Sequence, residues 1–166
     1  MNRILTHQRL VQVLDYDPAT GKFLNKVFRR GVKGAGAIAG TVRNGGYRRI
    51  MIDLTTFQAH QLAWFYVHAV WPSGPLDHIN GDPDDNRISN LRLATHSQNN
   101  ANRRLMATST SGHKGVSWIK RKGKWRAGIQ KDGRAIHLGY FEDLDDAARA
   151  YEVAATQIFG QFARLR

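Results

Sequence analysis

The sequence has no cysteine among its 166 residues. Disulfide bonds and thiolate zinc sites are therefore excluded, and any bound metal must use oxygen or imidazole ligands. Long apolar segments are also missing, since no run approaches the roughly 20 residues needed to cross a bilayer. Residues 1–14 contain no continuous hydrophobic segment of the secretory type. We therefore expect a cytoplasmic protein.

Acidic residues are few compared with basic ones. Thirteen Asp and Glu stand against 25 Lys and Arg, which gives a formal net charge of +12 and a pI near 10.6. This excess is larger than solubility alone requires, and it suits a polyanionic partner. We expect that partner to be nucleic acid rather than an acidic membrane surface, which is the second candidate.

The length and composition allow two domains. A hydrophobic content of 42% is sufficient for a buried core, and 166 residues can also form two small domains. Residues 105–112, LMATSTSG, form a break of small residues. We therefore predict an N-terminal domain at residues 1–105, a linker at 106–112 and a C-terminal domain at 113–166.

Turn-forming residues delimit short strands in the first half of the chain. They predict strands at residues 22–28 and 47–54. Apolar residues then recur at three- and four-residue spacing over residues 57–70, which predicts a helix. The basic, glycine-rich residues 29–40 and the pair Arg48-Arg49 either contact phosphate or form a mobile loop, and both interpretations stay open.

The stretch LDHINGDPDDNRISNLR, residues 76–92, is rich in turn-forming residues and poor in apolar ones. It begins and ends in two short strand candidates at residues 76–79 and 91–94, and a helix is predicted to open near residues 95–97. Asp77 and His78 are therefore adjacent on a strand that leads into a long loop.

These residue types suit hydrolysis of a phosphodiester. In-line attack by water needs a base for that water and a cation that offsets the developing negative charge. Neighbouring side chains of a strand point to opposite sides, so Asp77 can bind a metal while His78 addresses the water. Asn99 can add a neutral oxygen ligand, and this oxygen-rich set suits Mg²⁺ or Mn²⁺. Asn90 is expected to hydrogen-bond backbone groups across the loop.

Asp77-His78, Asn90 twelve residues after the histidine and Asn99 nine further on resemble the HNH nuclease motif. That family folds as two strands and a helix around one metal, the ββα-metal fold. With the upstream stretches YRRI and AHQLAW, the resemblance extends to the homing endonucleases of phages and mobile introns over roughly residues 10–105. It implies that His78 is the general base, that Asp77 and Asn99 bind the metal, and that Asn90 fixes the loop.

Several other polar residues of this half have less specific roles. His60 and His68 lie eight residues apart on the predicted helix, and we expect them to pack or face solvent rather than bind metal. His96, beside the start of the next helix, either caps that helix or contacts phosphate. The acidic residues of 82–85 lack the ordered ligand spacing of a calcium loop. Arg103, further along the helix that carries Asn99, is a candidate contact for the scissile phosphate.

Charge is segregated in the last third of the chain. Residues 113–141 contain eight Lys or Arg and one acid, whereas residues 142–152 contain five acids and one Arg. Tight-turn pairs at Lys122-Gly123 and Asp132-Gly133 predict antiparallel hairpins, and a helical period follows. The predicted elements are three strands at 116–120, 124–131 and 134–141 and a helix at 143–159.

A basic sheet that is backed by an acidic helix would turn its open face toward phosphates. Strand alternation assigns each side chain to one of the two faces. The predicted helix-facing residues are Val116, Trp118, Trp125, Ala127, Ile129, Ile136 and Leu138. The predicted open-face residues are Ser117, Ile119, Arg121, Lys124, Arg126, Gly128, Gln130 and His137.

Residues 113–163 resemble the Apetala or ethylene-response-factor type of DNA-binding domain, through Gly115-Val116, LGYF at 138–141 and AARAY at 147–151. The resemblance implies that the sheet enters the major groove of double-stranded DNA. Because the family's base-reading positions hold other residues here, it implies the fold and not the sequence preference. The expected DNA-binding residues are Arg103, Lys114, Arg121, Lys124, Arg126, Gln130, Arg134 and His137.

The sequence therefore predicts an α+β protein, with an N-terminal ββα-metal nuclease domain followed by a three-stranded antiparallel sheet packed on one helix. Its expected function is site-directed DNA cleavage of the homing type with one divalent metal. One site per chain predicts a nick per monomer, with a monomer or dimer on DNA. Two alternatives are a DNA-binding regulator with an inactive nuclease half and, ranked lower, an RNA-processing nuclease.

Overall fold

The structure of the protein is a computed structural model that describes residues 5–27, 34–105 and 108–165. Its helices and small antiparallel sheets confirm the predicted α+β class. The chain divides into two compact units, residues 1–93 and 94–166. None of the helices formed by the described residues is long and apolar enough to cross a membrane.

The first unit combines short hairpins with one longer helix. A two-stranded hairpin is followed by a three-stranded meander, and a separate strand pair ends the unit. Its elements are α1 (His7–Val13), β1 (Leu14–Asp17), β2 (Lys22–Asn25), β3 (Thr41–Val42), β4 (Arg48–Ile52), β5 (Thr55–Gln58), α2 (Ala59–His68), β6 (Leu76–His78) and β7 (Leu91–Leu93).

The helix predicted at residues 57–70 corresponds to α2, which is shorter than predicted. Phe57 pairs with Ile50 across the sheet, so residues 55–58 belong to strand β5 and the helix begins at Ala59. It ends where Ala69 adopts a left-handed conformation with φ of 57°. The prediction failed because Phe57 fits both an apolar helix stripe and an alternating strand. Residue 28 of the predicted first strand and residues 29–33 of the glycine-rich segment lie outside the described residues.

One apolar core unites the hairpins with α2. Burial of these side chains stabilises the unit and sets the position of α2 and of Leu91, at the start of β7. The largest fully buried apolar residues are Leu10, Val13, Leu14, Phe23, Ile50, Ile52 and Leu62.

The second unit is a three-stranded sheet that is covered by a helix, as predicted. The strand order is β10-β9-β8, and all pairings are antiparallel. Asp143 caps the long helix by accepting hydrogen bonds from the backbone N–H groups of Asp145 and Asp146. The elements are α3 (His96–Asn102), β8 (Val116–Ile119), β9 (Lys124–Lys131), β10 (Arg134–Phe141) and α4 (Leu144–Phe159).

The two faces of this sheet follow the predicted alternation only in part. Val116, Ala127 and Ile129 are buried on the α4 side, as predicted. Trp118 and Ile136 were predicted to pack on the helix, but they remain 47% and 39% exposed. Both lie on edge strands of the sheet, which a single helix does not cover completely.

Helix α3 is part of the second unit. Its buried Ala101 packs in one cluster with Ile129, Ala155, Phe159 and Phe162. The compact units therefore divide before α3, whereas the break of small residues follows it. Within the predicted linker, residues 106–107 lie outside the described residues. The domain boundaries at 105 and 113 stay a prediction.

Candidate active site

Strands β6 and β7 present the acid and the imidazole from the sequence motif. The register pairs Asp77 with Arg92 and His78 with Leu91. Asp77 is 3% exposed and His78 is 5% exposed, so both polar side chains are buried. Because charged groups are rarely buried without partners, the neighbours of these two residues define what the site can do.

The carboxylate of Asp77 is paired with a guanidinium across the strand pair. Arg92 Nε donates to Asp77 Oδ2 at 2.9 Å, and Arg92 Nη2 lies 2.8 Å from the same oxygen. The pair compensates the burial of both charges. Arg92 was not among the residues predicted for the site, because its proximity to Asp77 follows from the antiparallel register of two strands that are joined by a long loop.

His78 points at a buried amide. Its Nε2 lies 3.4 Å from Asn86 Oδ1, and Asn86 is only 1% exposed. Burial lowers the pKa of His78, since the charged imidazolium is poorly solvated there. At neutral pH the imidazole is therefore unprotonated on one nitrogen, which is the state that a general base requires.

A second histidine lies against His78. The ring centroids of His60 and His78 are 5.2 Å apart at an interplanar angle of 84°. Tyr47 contacts both rings, at 5.6 Å from His60 and 5.9 Å from His78. His60 therefore packs, which is one of the two alternatives expected for it, and its neighbour became apparent only from the fold. His68 is exposed and packs on Trp64 with ring centroids 4.4 Å apart.

Protonation of His60 should make the protein acid-sensitive. Burial, with a smaller contribution from His78, lowers the pKa of His60 from 6.5 to about 4. Between pH 6.5 and pH 4, His60 is therefore protonated in the unfolded chain but not in the folded one. Because the unfolded state binds more protons, the free energy of unfolding falls as pH falls from 6.5 to 4. The loss amounts to about 3 kcal/mol at most. Denaturant titrations at pH 7 and 4.5 should show a smaller loss for His60→Phe than for the wild type. Equal losses would contradict the prediction.

Asn90 joins the two ends of the loop between β6 and β7. Its Oδ1 accepts from the backbone N–H of Asn80 at 3.0 Å. Its Nδ2 donates to the carbonyl of Asp85 at 2.8 Å and to Asn80 Oδ1 at 3.1 Å. These are the hydrogen bonds expected of a residue that holds the loop in one conformation.

Asn90→Ala should lower the free energy of unfolding by about 1–3 kcal/mol, because it removes three hydrogen bonds at a buried position. The measurement is chemical denaturation. Asn100→Ala is a suitable control, since Asn100 is an exposed residue of α3. Equal stability of the two variants would contradict the structural role of Asn90.

The same loop is attached to the rest of the first unit. Arg48 donates from Nε and Nη2 to the two carboxylate oxygens of Asp84, at 2.8 and 2.9 Å. Gly21, with φ of +70°, packs so closely on the backbone of Asn86 and Arg87 that it leaves no room for a Cβ. Arg48 therefore holds the loop, a role that neither of the two interpretations of this basic residue included.

Asn99 lies on α3, in the second unit. Thr95 caps this helix, with a reciprocal hydrogen bond from its backbone N–H to Gln98 Oε1, so His96 is not the capping residue. Arg103 follows the helix and is exposed. Asp77, His78 and Asn90 are thus brought together within the first unit, whereas Asn99 and Arg103 are carried by the second.

The donor chemistry fits a hard divalent cation. No group of three His, Asp or Glu side chains within residues 5–27, 34–105 and 108–165 forms a metal-ligand cluster. Asp77 in the first unit and Asn99 in the second carry a carboxylate and an amide oxygen, which are the kinds of oxygen donor that Mg²⁺ prefers.

Comparison with known proteins identifies the family of this site. Residues 57–101 match a family model described as HNH endonuclease. Protein 3.8 of Escherichia phage T7 is 33% identical over 108 residues, which cover 64% of this chain and 88% of that protein. A protein described as an uncharacterized HNH endonuclease of Acanthamoeba polyphaga mimivirus is 31% identical over 116 residues, which cover 69% of this chain and 59% of that protein. The chain belongs to the HNH endonuclease family.

As an HNH endonuclease, the protein is a DNA-cleaving enzyme, and HNH nucleases generally use a divalent metal. The matched residues include α2 with His60 as well as the β6–β7 loop. A further relative is an AP2-like ethylene-responsive transcription factor of Arabidopsis thaliana, which is 36% identical over 58 residues, or 35% of this chain and 12% of that protein. The second predicted resemblance is therefore confirmed as well.

The open face of the second unit of this HNH endonuclease carries cations and two aromatic rings. Arg126 on β9 is the cross-strand neighbour of Tyr140 on β10. The ring centroids of His137 and Tyr140 are 4.6 Å apart. Lys122 Nζ lies 3.6 Å from the centre of the Tyr140 ring. Tyr140 was not predicted on this face, because a β-bulge between His137 and Gly139 reverses the alternation of β10.

Two of the expected DNA-binding residues have other positions. Lys114 Nζ donates to the carbonyls of Ala101 and Arg164, both at 2.8 Å, and burial lowers its pKa to about 8. Lys114 therefore ties α3 to the end of the chain, in place of the predicted DNA contact. Arg134 lies two residues before Ile136 on β10, so it projects from the α4 side of the sheet rather than from the open face.

Proposed function

We propose that this HNH endonuclease is site-directed and of the homing type, and that it hydrolyses one phosphodiester of duplex DNA with a single divalent ion, Mg²⁺ or Mn²⁺. The observation that supports this function best is the buried His78, whose lowered pKa keeps the imidazole ready to accept a proton. Asp77 and Asn99 would hold the ion, and Asn90 keeps the loop in place.

In the proposed reaction His78 removes a proton from the water that attacks the phosphorus atom. The buried setting of the imidazole keeps it neutral before the step and limits its contact with bulk water. The bound ion would offset negative charge on the phosphate and on the leaving oxygen. Arg92 Nη2 lies 2.8 Å from Asp77 Oδ2, so the buried carboxylate has a cationic partner.

The C-terminal sheet supplies affinity and register on the DNA. Its open face carries exposed Arg126, Gln130 and His137, and the turn before β9 adds Arg121. Lys124 Nζ forms an ion pair with Glu142 Oε1 at 3.3 Å. Because exposed ion pairs are weak, a phosphate can replace the carboxylate as the partner of Lys124. The proposed contacts are Arg103, Arg121, Lys124, Arg126, Gln130 and His137, and most of them address phosphates rather than bases.

Cleavage and DNA binding are assigned to the two predicted domains. Residues 1–105 carry the groups that act on the phosphodiester, residues 113–166 bind DNA, and residues 106–112 connect the two. One proposed site per chain means that a monomer nicks one strand, and a double-strand break needs two copies or two visits. The match to a phage protein supports action in the cytoplasm of a bacterial or phage-infected cell.

Cleavage of supercoiled plasmid tests this function. With Mg²⁺ or Mn²⁺, nicked circles should accumulate before linear DNA appears, and a chelator should stop the reaction. Linear product without a nicked precursor would contradict nicking by a monomer. A gel shift with no cleavage under any divalent metal would favour a DNA-binding regulator instead.

A further inference from the structure

Asn86 is a buried polar residue that the proposed reaction does not use. It is 1% exposed, and it lies in the loop between the two strands of the site. Its backbone carbonyl accepts from Tyr16 Oη at 2.8 Å, and its side-chain Nδ2 donates to the carbonyl of Asp84 at 3.0 Å. Both ends of the residue are therefore held in place.

These contacts determine which side-chain atom faces His78. A backbone carbonyl can only accept a hydrogen bond, so the atom of Asn86 that lies next to the Asp84 carbonyl must be the amide nitrogen. The other atom, Oδ1, then faces His78 Nε2 at 3.4 Å. An amide oxygen can only accept, so the imidazole nitrogen opposite it must carry the hydrogen.

The ring of His78 is also confined by two neighbouring rings. His60 packs against it in an edge-to-face arrangement, and Tyr47 contacts both histidine rings. A half-turn of the His78 ring would exchange the nitrogen and carbon atoms that face Asn86 and would lose the hydrogen bond. Packing by His60 and Tyr47 opposes that rotation.

We propose that Asn86 is a positioning residue that holds His78 as the Nε2–H tautomer, so that Nδ1 is the nitrogen that accepts the proton from water. The inference rests on the proposed role of His78 as general base. His60 and Tyr47 preserve the orientation in which Asn86 acts. Asn86 itself touches neither DNA nor metal in this mechanism.

Nitrogen NMR of the full-length protein tests the tautomer directly. Protonated and unprotonated imidazole nitrogens resonate in separate regions, and the His78 signals are assigned by their loss in His78→Ala. We expect wild-type His78 to be the Nε2–H tautomer at neutral pH. The Nδ1–H tautomer, or an equal mixture of the two, would overturn the proposal. This measurement needs no variant of Asn86, so a folding defect cannot obscure it.

Substitution of Asn86 links the tautomer to catalysis. Asn86→Leu should lower the single-turnover cleavage rate by about 10- to 100-fold with unchanged DNA affinity. Asn25→Leu is the matched control, since Asn25 is 2% exposed and donates to the Ala37 carbonyl at 3.1 Å in the same unit.

The outcomes separate this inference from the proposed function. Unchanged rate and tautomer in Asn86→Leu, or an equal rate loss in Asn25→Leu, would overturn the role of Asn86. Normal cleavage by His78→Ala would instead overturn the proposed function, while the tautomer of His78 would still be read from the spectrum.

Discussion

His78→Ala should lower the rate of DNA cleavage by about 10²- to 10⁴-fold at neutral pH, with DNA affinity within about twofold of the wild type. The variant removes the proposed base from β6 and leaves the cationic sheet of the second unit unchanged. Single-turnover cleavage with Mg²⁺ measures the first quantity, and a gel shift in the presence of a chelator measures the second.

His68→Ala is the matched control for this experiment. His68 is the last residue of α2, is exposed and contacts Trp64, so its loss should leave the cleavage rate unchanged. Full activity of His78→Ala would show that another group removes the proton from water. A fall in DNA affinity comparable to the fall in rate would indicate that His78 binds substrate rather than activating water.

The double substitution Arg121→Ala with Arg126→Ala should weaken binding to duplex DNA by on the order of 100-fold at low salt. Both cations are exposed, with Arg126 on the open face of the sheet and Arg121 in the turn beside it. If each contacts one phosphate, the slope of log K against log salt should decrease by about two. Fluorescence anisotropy over a range of salt concentrations measures both effects.

A second double variant separates contact from net charge. Arg134→Ala with Arg149→Ala removes the same number of charges from the same unit. Arg134 projects from the α4 side of the sheet, and Arg149 is an exposed residue of α4 itself. We expect a much smaller loss of affinity for this pair. Equal losses for the two double variants would show that only the overall positive charge matters.

The central stretch could be interpreted from the sequence because its information is local. An acid and an imidazole on a short strand, a turn-rich loop and a capped helix each follow from neighbouring residues, and β6, β7 and α3 formed close to their predicted positions. The predicted start of the helix at 57–70 was wrong, since Phe57 satisfies the periods of both a strand and a helix.

The residues that surround Asp77 and His78 could not be predicted from neighbouring positions in the sequence. Arg92 meets Asp77 through strand register, and Asn86 meets His78 through the conformation of a twelve-residue connection. His60 reaches the same imidazole from α2. Each contact depends on how separate segments pack, and hydrophobic periodicity specifies only which face is buried.

By itself, the sequence determined the chemistry that is available: no thiol ligands, a large excess of cations, an Asp-His pair with two spaced asparagines, and a sheet followed by an amphipathic helix. Only the tertiary structure decided the geometry, including the partners of Asp77 and His78, the bulge that turns Tyr140 outward and the use of Lys114 as an anchor. The physical reason is that local sequence sets backbone preference and burial, whereas buried polar groups obtain their partners from distant parts of the chain.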